Sequence, residues 1–498
     1  MEKENRLYLI TEKDNVAVAL TDVSKGEEIE VNGITYTALS DIPTGHKMAL
    51  RDIEGGEAIV KYGFSIGNAR APIAKGAHVH TSNVKTGLHD LMEYSYNPKE
   101  EDYKVFDGPD TFRGYRRKDG KVGIRNELWI VPTVGCVNGV AELIIKKFRE
   151  RVQPEGIDAI EVFNHNYGCS QLGDDHENTK TILADLVKHP NAGGVLVLGL
   201  GCENNVMEDF KVAVGDYDEK RTKFIVTQQV GNEIEEGIRA LTSLYEEMKK
   251  DQREEVPVSE LSIGLKCGGS DGFSGITANP LLGRLSDYLV AKGGTTILTE
   301  VPEMFGAETI LMDRAENEEV FGKIVHLIND FKQYFIDNKQ PIYENPSPGN
   351  KDGGISTLED KSLGCTQKGG SSMVTDVLKY GEIAAKKGLN LLSAPGNDLV
   401  ASTALGASGC HMVLFTTGRG TPFGSFVPTV KISSNSRIAA LKPHWIDFNA
   451  GQMLDGKPSD DMTKEFIDYV IAVASGELVN NEKSGFREIS IFKTGVTL

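Results

Sequence analysis

The stretch VLVLGLGCENN, residues 195–205, decides the fold class. Its first half is an unbroken run of Val and Leu closed by glycines, the pattern of a strand buried on both faces, as in a parallel sheet. Its second half sets Cys202, between Gly201 and Glu203, just past the carboxyl end of that strand, where open α/β sheets bind their ligands. Outward from this point the same alternation recurs. ELWIVPTV, AIEVFN, GVLVLGL, KFIVTQ, LSIGLK, TTILTEV and LNLLSA read as strands, while VAELIIKKFRERV and TKTILADLVKH read as amphipathic helices. Strands alternating with helices from residue 111 onward predict parallel α/β domains.

Residues 1–95 have another character. Short β-like pieces such as VAVAL and KMALRDI are separated by VNG, PTG, EGG and AKG turns, with no strong helical periodicity, so a small all-β domain is expected. Residues 96–110 are polar, charged and proline-bearing, and read as a linker. The charged stretch EMKKDQREEVP, 247–257, suggests a division of the rest into a middle domain, 111–254, and a carboxy-terminal domain, 255–498. A length of 498 residues fits roughly three domains.

A net charge of −18 argues against nucleic acid and acidic membranes as partners, and requires any anionic substrate to find a local positive site. MEKENRLYLI has no apolar core of signal-peptide length, and no segment approaches the roughly 18 apolar residues of a membrane span. A cytoplasmic location is expected. The six cysteines include no CxxC pair, so they read as thiols, ligands or fillers rather than as a disulfide scaffold.

Their spacing is informative. Strands end in VGC (Cys136), YGC (Cys169), LGC (Cys202) and LKC (Cys267), and the first three cysteines are 33 residues apart, one βαβ step of about 30 or more residues each. The next interval, 65 residues, is close to two steps, and a further 33 residues reach Glu300 in ILTEVPE. In a parallel sheet all carboxyl ends lie on one edge, so these thiols and Glu300 are expected to face a common crevice and to serve as metal ligands; the alternative is that cysteine fills gaps beneath loops. GCSQLGDDH, 168–176, adds aspartates that serve equally as helix N-caps. His165, four residues before Cys169, is either a proton-transfer group or a hydrogen-bonded loop histidine.

The loop KCGGSDGFSGITANP, 266–280, follows a strand and precedes a helix, and it can offer the backbone of Gly268, Gly269, Ser270 and Asp271 to an anion. It lacks the spacing of a dinucleotide or P-loop motif, so a carboxylate suits it as well as a phosphate. TTGRGTPFG sets Arg419 between two glycines as a carboxylate clamp, and ENPSPGNKDGG adds Lys351 as a further cation. Either loop can also be structural. In the first domain His46, and His78 with His80 two apart on one strand face, offer joint metal ligation or pack against a neighbouring domain.

Taken together, DNVAVAL, PTVGCVNG, HNYGCSQLGDDH, GLGCENN, CGGSDGFSGITANP, TEVPEMFGAE, ENPSPGNK, SLGCTQK, SAPGND, TTGRGTP and IFKTGVTL resemble the altronate/galactarate dehydratase family over essentially the whole chain. The resemblance implies a β-clip (SAF) amino domain, a linker, a middle dimerising domain and a carboxy-terminal Rossmann-like variant, hence a homodimer. It also implies iron-dependent dehydration of D-altronate to 2-dehydro-3-deoxy-D-gluconate, with GAHVHTSN and SLGCTQK favouring altronate over galactarate.

Such a reaction removes a weakly acidic proton beside a carboxylate and expels hydroxide, which a Lewis acid assists. Thiolates at Cys136, Cys169, Cys202 and Cys267 select Fe2+ or an iron–sulfur cluster; a site of oxygen and nitrogen donors also suits Mn2+. His165 is the expected base, Arg419 and the 268–275 loop the expected carboxylate site, and Glu203 or Glu303 the expected acid. A non-catalytic sugar-acid binder and a thiol acyltransferase, with a cysteine nucleophile paired with His165, are the competing classes.

Overall fold

The computed structural model describes residues 6–88, 91–99 and 102–495. The first five residues, part of the segment read above for a signal peptide, and the last three of IFKTGVTL lie outside them. The amino domain is built from small antiparallel sheets. Leu7–Tyr8, Val16–Ala19, Lys47–Ala49 and His78–Val79 form one, Ala58–Lys61, Phe64–Ala69 and Val84–Lys85 another, and Glu28–Val31 with Ile34–Thr37 a hairpin. One of its two apolar cores, around Ile53, Ile59 and Ile66, also takes in Ala307 and Leu363, so the domain is seated on the rest of the chain by apolar burial.

The middle domain is a four-stranded parallel sheet in the order Ala159–Val162, Glu127–Pro132, Ala192–Gly199, Thr222–Val226. Glu127–Pro132 is buried at every position and Ala192–Gly199 at nearly every one, as their unbroken apolar runs require. The helices Asn138–Val152 and Gly173–Lys188 supply the crossovers that space the first three cysteines.

The carboxy-terminal domain holds a seven-stranded parallel sheet, ordered Val374–Leu378, Gly388–Leu392, Thr295–Leu298, Ser262–Cys267, Met412–Thr417, Thr429–Ser433, Phe448–Asn449. The winding reverses between Ser262–Cys267 and Met412–Thr417, the position at which such sheets bind ligands. The Arg419 loop follows the second of these strands. Thr416 and Thr417, read above as the start of that loop, are paired along the sheet.

The two sheets share a core in which Trp129 and Phe163 meet Phe426. Buried imidazoles extend this seam: His189, whose ring packs on Trp129 and Phe426, donates its Nε2 proton to the Cys410 carbonyl at 3.0 Å, and His411 Nε2 donates to that of Val122 at 2.7 Å. Cys267 and Cys136, Cys169 and Cys202 therefore stand on different sheets, which corrects the expectation of a single edge. After Cys202 the chain leaves the first sheet through Thr222–Val226 and the helix Glu233–Met248 before it starts the second.

Candidate active site

The carboxyl edge of the seven-stranded sheet is roofed by the amino domain. Gly45 (φ +83°) packs so close that a Cβ there would lie 3.0 Å from the Gly353 carbonyl, and Gly272 donates to that same carbonyl at 2.7 Å. Only residues without side chains allow three loops from two domains this approach. Beside it, Lys47 and Lys61 each reach Asp360 at 2.9 Å with all three side chains buried. The two lysines hold the Asp360 carboxyl well below the usual range against the opposing effect of burial. Removing either partner of such a pair leaves a bare buried charge, so this contact latches the amino domain.

Three imidazoles converge in the roof. Lys47–Ala49 pairs with His78–Val79 in a register that sets Met48 opposite His78, so His46 falls across from His80. His78 and His80 share a strand face, and the three ring centroids lie 4.6, 5.1 and 5.5 Å apart. His46 Nε2 donates to the Asp352 carbonyl at 3.2 Å, which leaves the Nδ1 lone pair facing His78 Nε2 at 3.0 Å. His80 Nδ1 is buried without a partner among the described residues. Burial holds all three below the ordinary histidine value, His78 at about 4 and His80 at about 3. Neutral imidazoles, one oriented by a backbone carbonyl and one with an unused nitrogen, are a fitting donor set for a divalent ion.

Beneath the roof lies a buried ionic network. Cys267 Sγ accepts from Lys368 Nζ at 2.8 Å, donates to Glu303 Oε2 at 3.1 Å and lies 3.4 Å from Cys365 Sγ. Glu300 takes Lys368 Nζ and the Cys267 amide, each at 3.0 Å, and also pairs with Lys266, which reaches Asp398 at 2.8 Å. Lys361 Nζ meets Glu303 Oε1 at 2.8 Å. Glu300 holds its place with φ +68°, a left-handed conformation that costs a non-glycine residue about 1–3 kcal/mol and that clusters at functional sites.

Cys267, Glu303 and Cys365 are close enough to hold an ion, but their charges are already matched. Three lysines face Glu300, Glu303 and Asp398, and the contact with Cys267 together with burial raises the Cys365 thiol well above the ordinary cysteine value. A cation among Lys361 and Lys368 would be repelled, so Cys267 does not fit the expected thiolate ligand. Glu303 is pushed up by burial, but Lys361, Lys368 and Lys266 outweigh this and pull it far down. It is a fixed carboxylate, not the acid expected from sequence.

The loop read as an anion site borders this crevice. Among the described residues the Gly269 and Ser270 amides have no partner, and the Ser270 hydroxyl is buried and unpaired. Gly268, by contrast, donates its amide to Thr416 at 3.0 Å. Asp271 is taken up by Ser434 at 2.7 Å and Asn435 at 2.9 Å, and shapes the loop rather than binding an anion. Arg419 lines the groove beside Asp271, Asp352 and Gly353, is exposed, and makes no ion pair with any described residue. Lys351 stands on the short helix Pro348–Asp352, one residue before the carbonyl that orients His46.

The middle-sheet residues are differently placed. His165 Nε2 donates to the Pro132 carbonyl at 2.8 Å and Nδ1 accepts from the Tyr167 amide at 3.1 Å, so both nitrogens are committed and the ring is a structural brace rather than a base. Glu203 accepts from the Leu200 and Gly201 amides and, at 2.8 Å, from Thr133 Oγ1; it caps its own loop and is no proton donor for the other sheet. Cys136, Cys169 and Cys202 are exposed and are not gathered with Cys267.

Sequence reading missed Lys266, Lys361, Lys368 and Cys365. One signal was present: a lysine inside the apolar strand LSIGLK.

The chain matches three family descriptions in order: Altronate/galactarate dehydratase SAF domain over 5–87, D-galactarate dehydratase/Altronate hydrolase, second domain, over 114–249, and D-galactarate/Altronate dehydratase, C-terminal, over 258–497. An altronate dehydratase of Bacillus subtilis (strain 168) is 61% identical over 491 residues, 98% of this chain and 99% of the relative. The chain belongs to the altronate/galactarate dehydratase family. Within that family it is 58% identical to an altronate dehydratase of Escherichia coli (strain K12) over 97% of the chain and 98% of the relative. The galactarate dehydratase (L-threo-forming) of the same organism is further away, at 34% over 94% and 92%. The small-domain roof is thus a SAF domain, and the chain is an enzyme of the hydro-lyase type. No helix among the described residues is long and apolar enough to cross a membrane.

Proposed function

We propose that this chain dehydrates D-altronate to 2-dehydro-3-deoxy-D-gluconate and water in the crevice between the SAF domain and the seven-stranded sheet. The observation that carries the reading is the convergence of His46, His78 and His80 above a carboxyl edge bearing an exposed Arg419 and the Ser270 hydroxyl, neither of them paired among the described residues. Identity of 58–61% to two altronate dehydratases favours altronate over galactarate as substrate.

Ferrous iron is the group the imidazoles would hold, with Mn2+ an alternative for the same nitrogen donors, and it would supply a Lewis acid for the substrate oxygens. The chain's own residues do the rest. Arg419, with the Gly269 and Ser270 amides, takes the carboxylate in a bidentate grip. The ammonium groups of Lys361 and Lys368, fixed by Glu303 and Glu300, stabilise negative charge that develops on the substrate, at no cost in reorganisation because their partners are already in place. The latch at Asp360 excludes water from this field.

The enzyme acts in the cytoplasm as a homodimer. The exposed Leu172, Val206 and Val212, around the adjoining helices Gly173–Lys188 and Met207–Val214, support a partner surface there. The test is anaerobic loading with Fe2+ followed by turnover of D-altronate and galactarate. The parent chain is expected to bind iron and to prefer altronate, and His78→Ala/His80→Ala to lose both iron and turnover. Full turnover by the metal-free parent contradicts the reading.

A further inference from the structure

The middle sheet has a switch point of its own, which the reaction above does not use. Its winding reverses between Glu127–Pro132 and Ala192–Gly199, and open α/β sheets take ligands outside the carboxyl ends of strands at such a point. Cys136 and Cys202 follow those two strands, Cys169 follows the neighbouring one, and all three thiols are exposed. Each is preceded by a glycine that lets the loops close on one another. A Cβ on Gly135 would lie 2.5 Å from the His165 carbonyl oxygen, one on Gly168 2.1 Å from that of Thr133, and one on Gly201 2.8 Å from Gln228 Oε1. Hydrogen bonds pin the same loops: the Gly135 amide to the Tyr167 carbonyl at 2.9 Å, Asn205 to Gly168 at 3.1 Å, and Ser170 to Asn204 Oδ1 at 2.8 Å. Three strands thus deliver one thiol each to one switch point.

The sulfurs do not meet the spacing of a single ion. They are absent from the sets of donor atoms lying within 4.8 Å of one another, whereas a tetrahedral ion with bonds of about 2.3 Å holds its sulfurs roughly 3.8 Å apart. An iron–sulfur cluster spaces its thiolates farther, because each binds a different iron. Two more features suit a cluster. Gln228 Nε2 donates to Cys202 Sγ at 3.5 Å, the type of bond that tunes cluster potential. Asn205, 1% exposed and three residues beyond Cys202, has a side-chain oxygen with no partner among the described residues. Among the described residues no lysine ammonium sits on these sulfurs, in contrast to Cys267.

We propose that Cys136, Cys169 and Cys202 hold a cubane iron–sulfur cluster whose fourth iron is left to a small oxygen donor such as water or a carboxylate. Each thiol gives its proton to solvent as its sulfur binds iron. The centre is independent of the histidine site. The full chain, purified anaerobically and reconstituted with ferric iron, sulfide and a thiol reductant, is expected to carry about four acid-labile sulfides and a broad visible sulfur-to-iron absorption. Cys136→Ser, Cys169→Ser and Cys202→Ser each lose most of both while keeping the parent's far-UV circular dichroism, since these side chains are exposed. Cys410→Ala and His78→Ala/His80→Ala keep both, so failure of the histidine site and failure of the cluster read separately. A chain that takes up no acid-labile sulfide, or a spectrum unchanged in Cys169→Ser, overturns the proposal.

Discussion

Two parallel sheets in this chain end in cysteine-bearing loops, yet their carboxyl edges are chemically unlike. On the middle sheet the charged and titratable groups are spent on the loops themselves: His165 braces Pro132 and Tyr167, and Glu203 caps Leu200 and Gly201, which leaves three thiols at the surface. On the seven-stranded sheet the thiol is buried, three lysines and three carboxylates surround it, and a second domain closes over the top. The difference teaches that strand ends only supply positions. An enclosing domain, which lowers the local dielectric, is what turns charges at such positions into a field strong enough to stabilise an anion.

The comparison breaks most visibly at the latch. Asp360→Ala strands Lys47 and Lys61 as buried charges and is expected to cost about 3–5 kcal/mol, seen in chemical denaturation together with loss of turnover. An unchanged midpoint would mean the roof is held by apolar contacts alone. Next is Lys368→Met, expected to lower kcat about a hundred- to a thousandfold while the fold persists. A change confined to KM would remove Lys368 from the charge-stabilising set.

The seam between the sheets gives a pH effect. Burial holds His189 at about 3 and His411 at about 4, below the ordinary 6.5. Between pH 6.5 and 4 the folded chain therefore binds fewer protons than the unfolded chain. Stability that is complete above pH 6.5 is lost as pH falls through that window, by about 1.4 kcal/mol per pH unit for each group. Denaturation at pH 7 and pH 5 measures it, and a His189→Gln chain with the same pH slope would refute the assignment.

Smaller effects sharpen the contrast. Arg419→Lys keeps the charge but loses the fork, and is expected to raise KM for the sugar acid about tenfold with kcat little altered. Unchanged KM and kcat would show that Arg419 is not the clamp. The smallest effect is expected at the other edge: His165→Gln should leave kcat/KM within about twofold, and a loss of orders of magnitude would restore His165 as the base.

The sequence made the strands legible because parallel strands buried on both faces must be continuously apolar, as in 195–199. It could not show that Cys202 and Cys267 lie on separate sheets, since a 65-residue interval fits two βαβ steps in one sheet as well as an exit through Glu233–Met248 and a new start. The histidine cluster was half legible. His78 and His80 share a face by strand period, but His46 joins them only through pairing across 32 residues. Cys365, Lys361 and Lys368 carried almost no signal, because the segment Leu358–Cys365 contributes to the site through tertiary packing rather than through a strand end.

The proposed ferrous ion is placed among the imidazoles of the SAF domain rather than on the buried thiol of Cys267. X-ray absorption at the iron edge tests it most directly, on protein loaded anaerobically with one equivalent of Fe2+ and no sulfide. A shell of nitrogen and oxygen at about 2.0–2.2 Å with the outer-shell scattering of histidine rings is expected, lost in His78→Ala/His80→Ala. A sulfur shell at about 2.3 Å, abolished by changing Cys267, would contradict it.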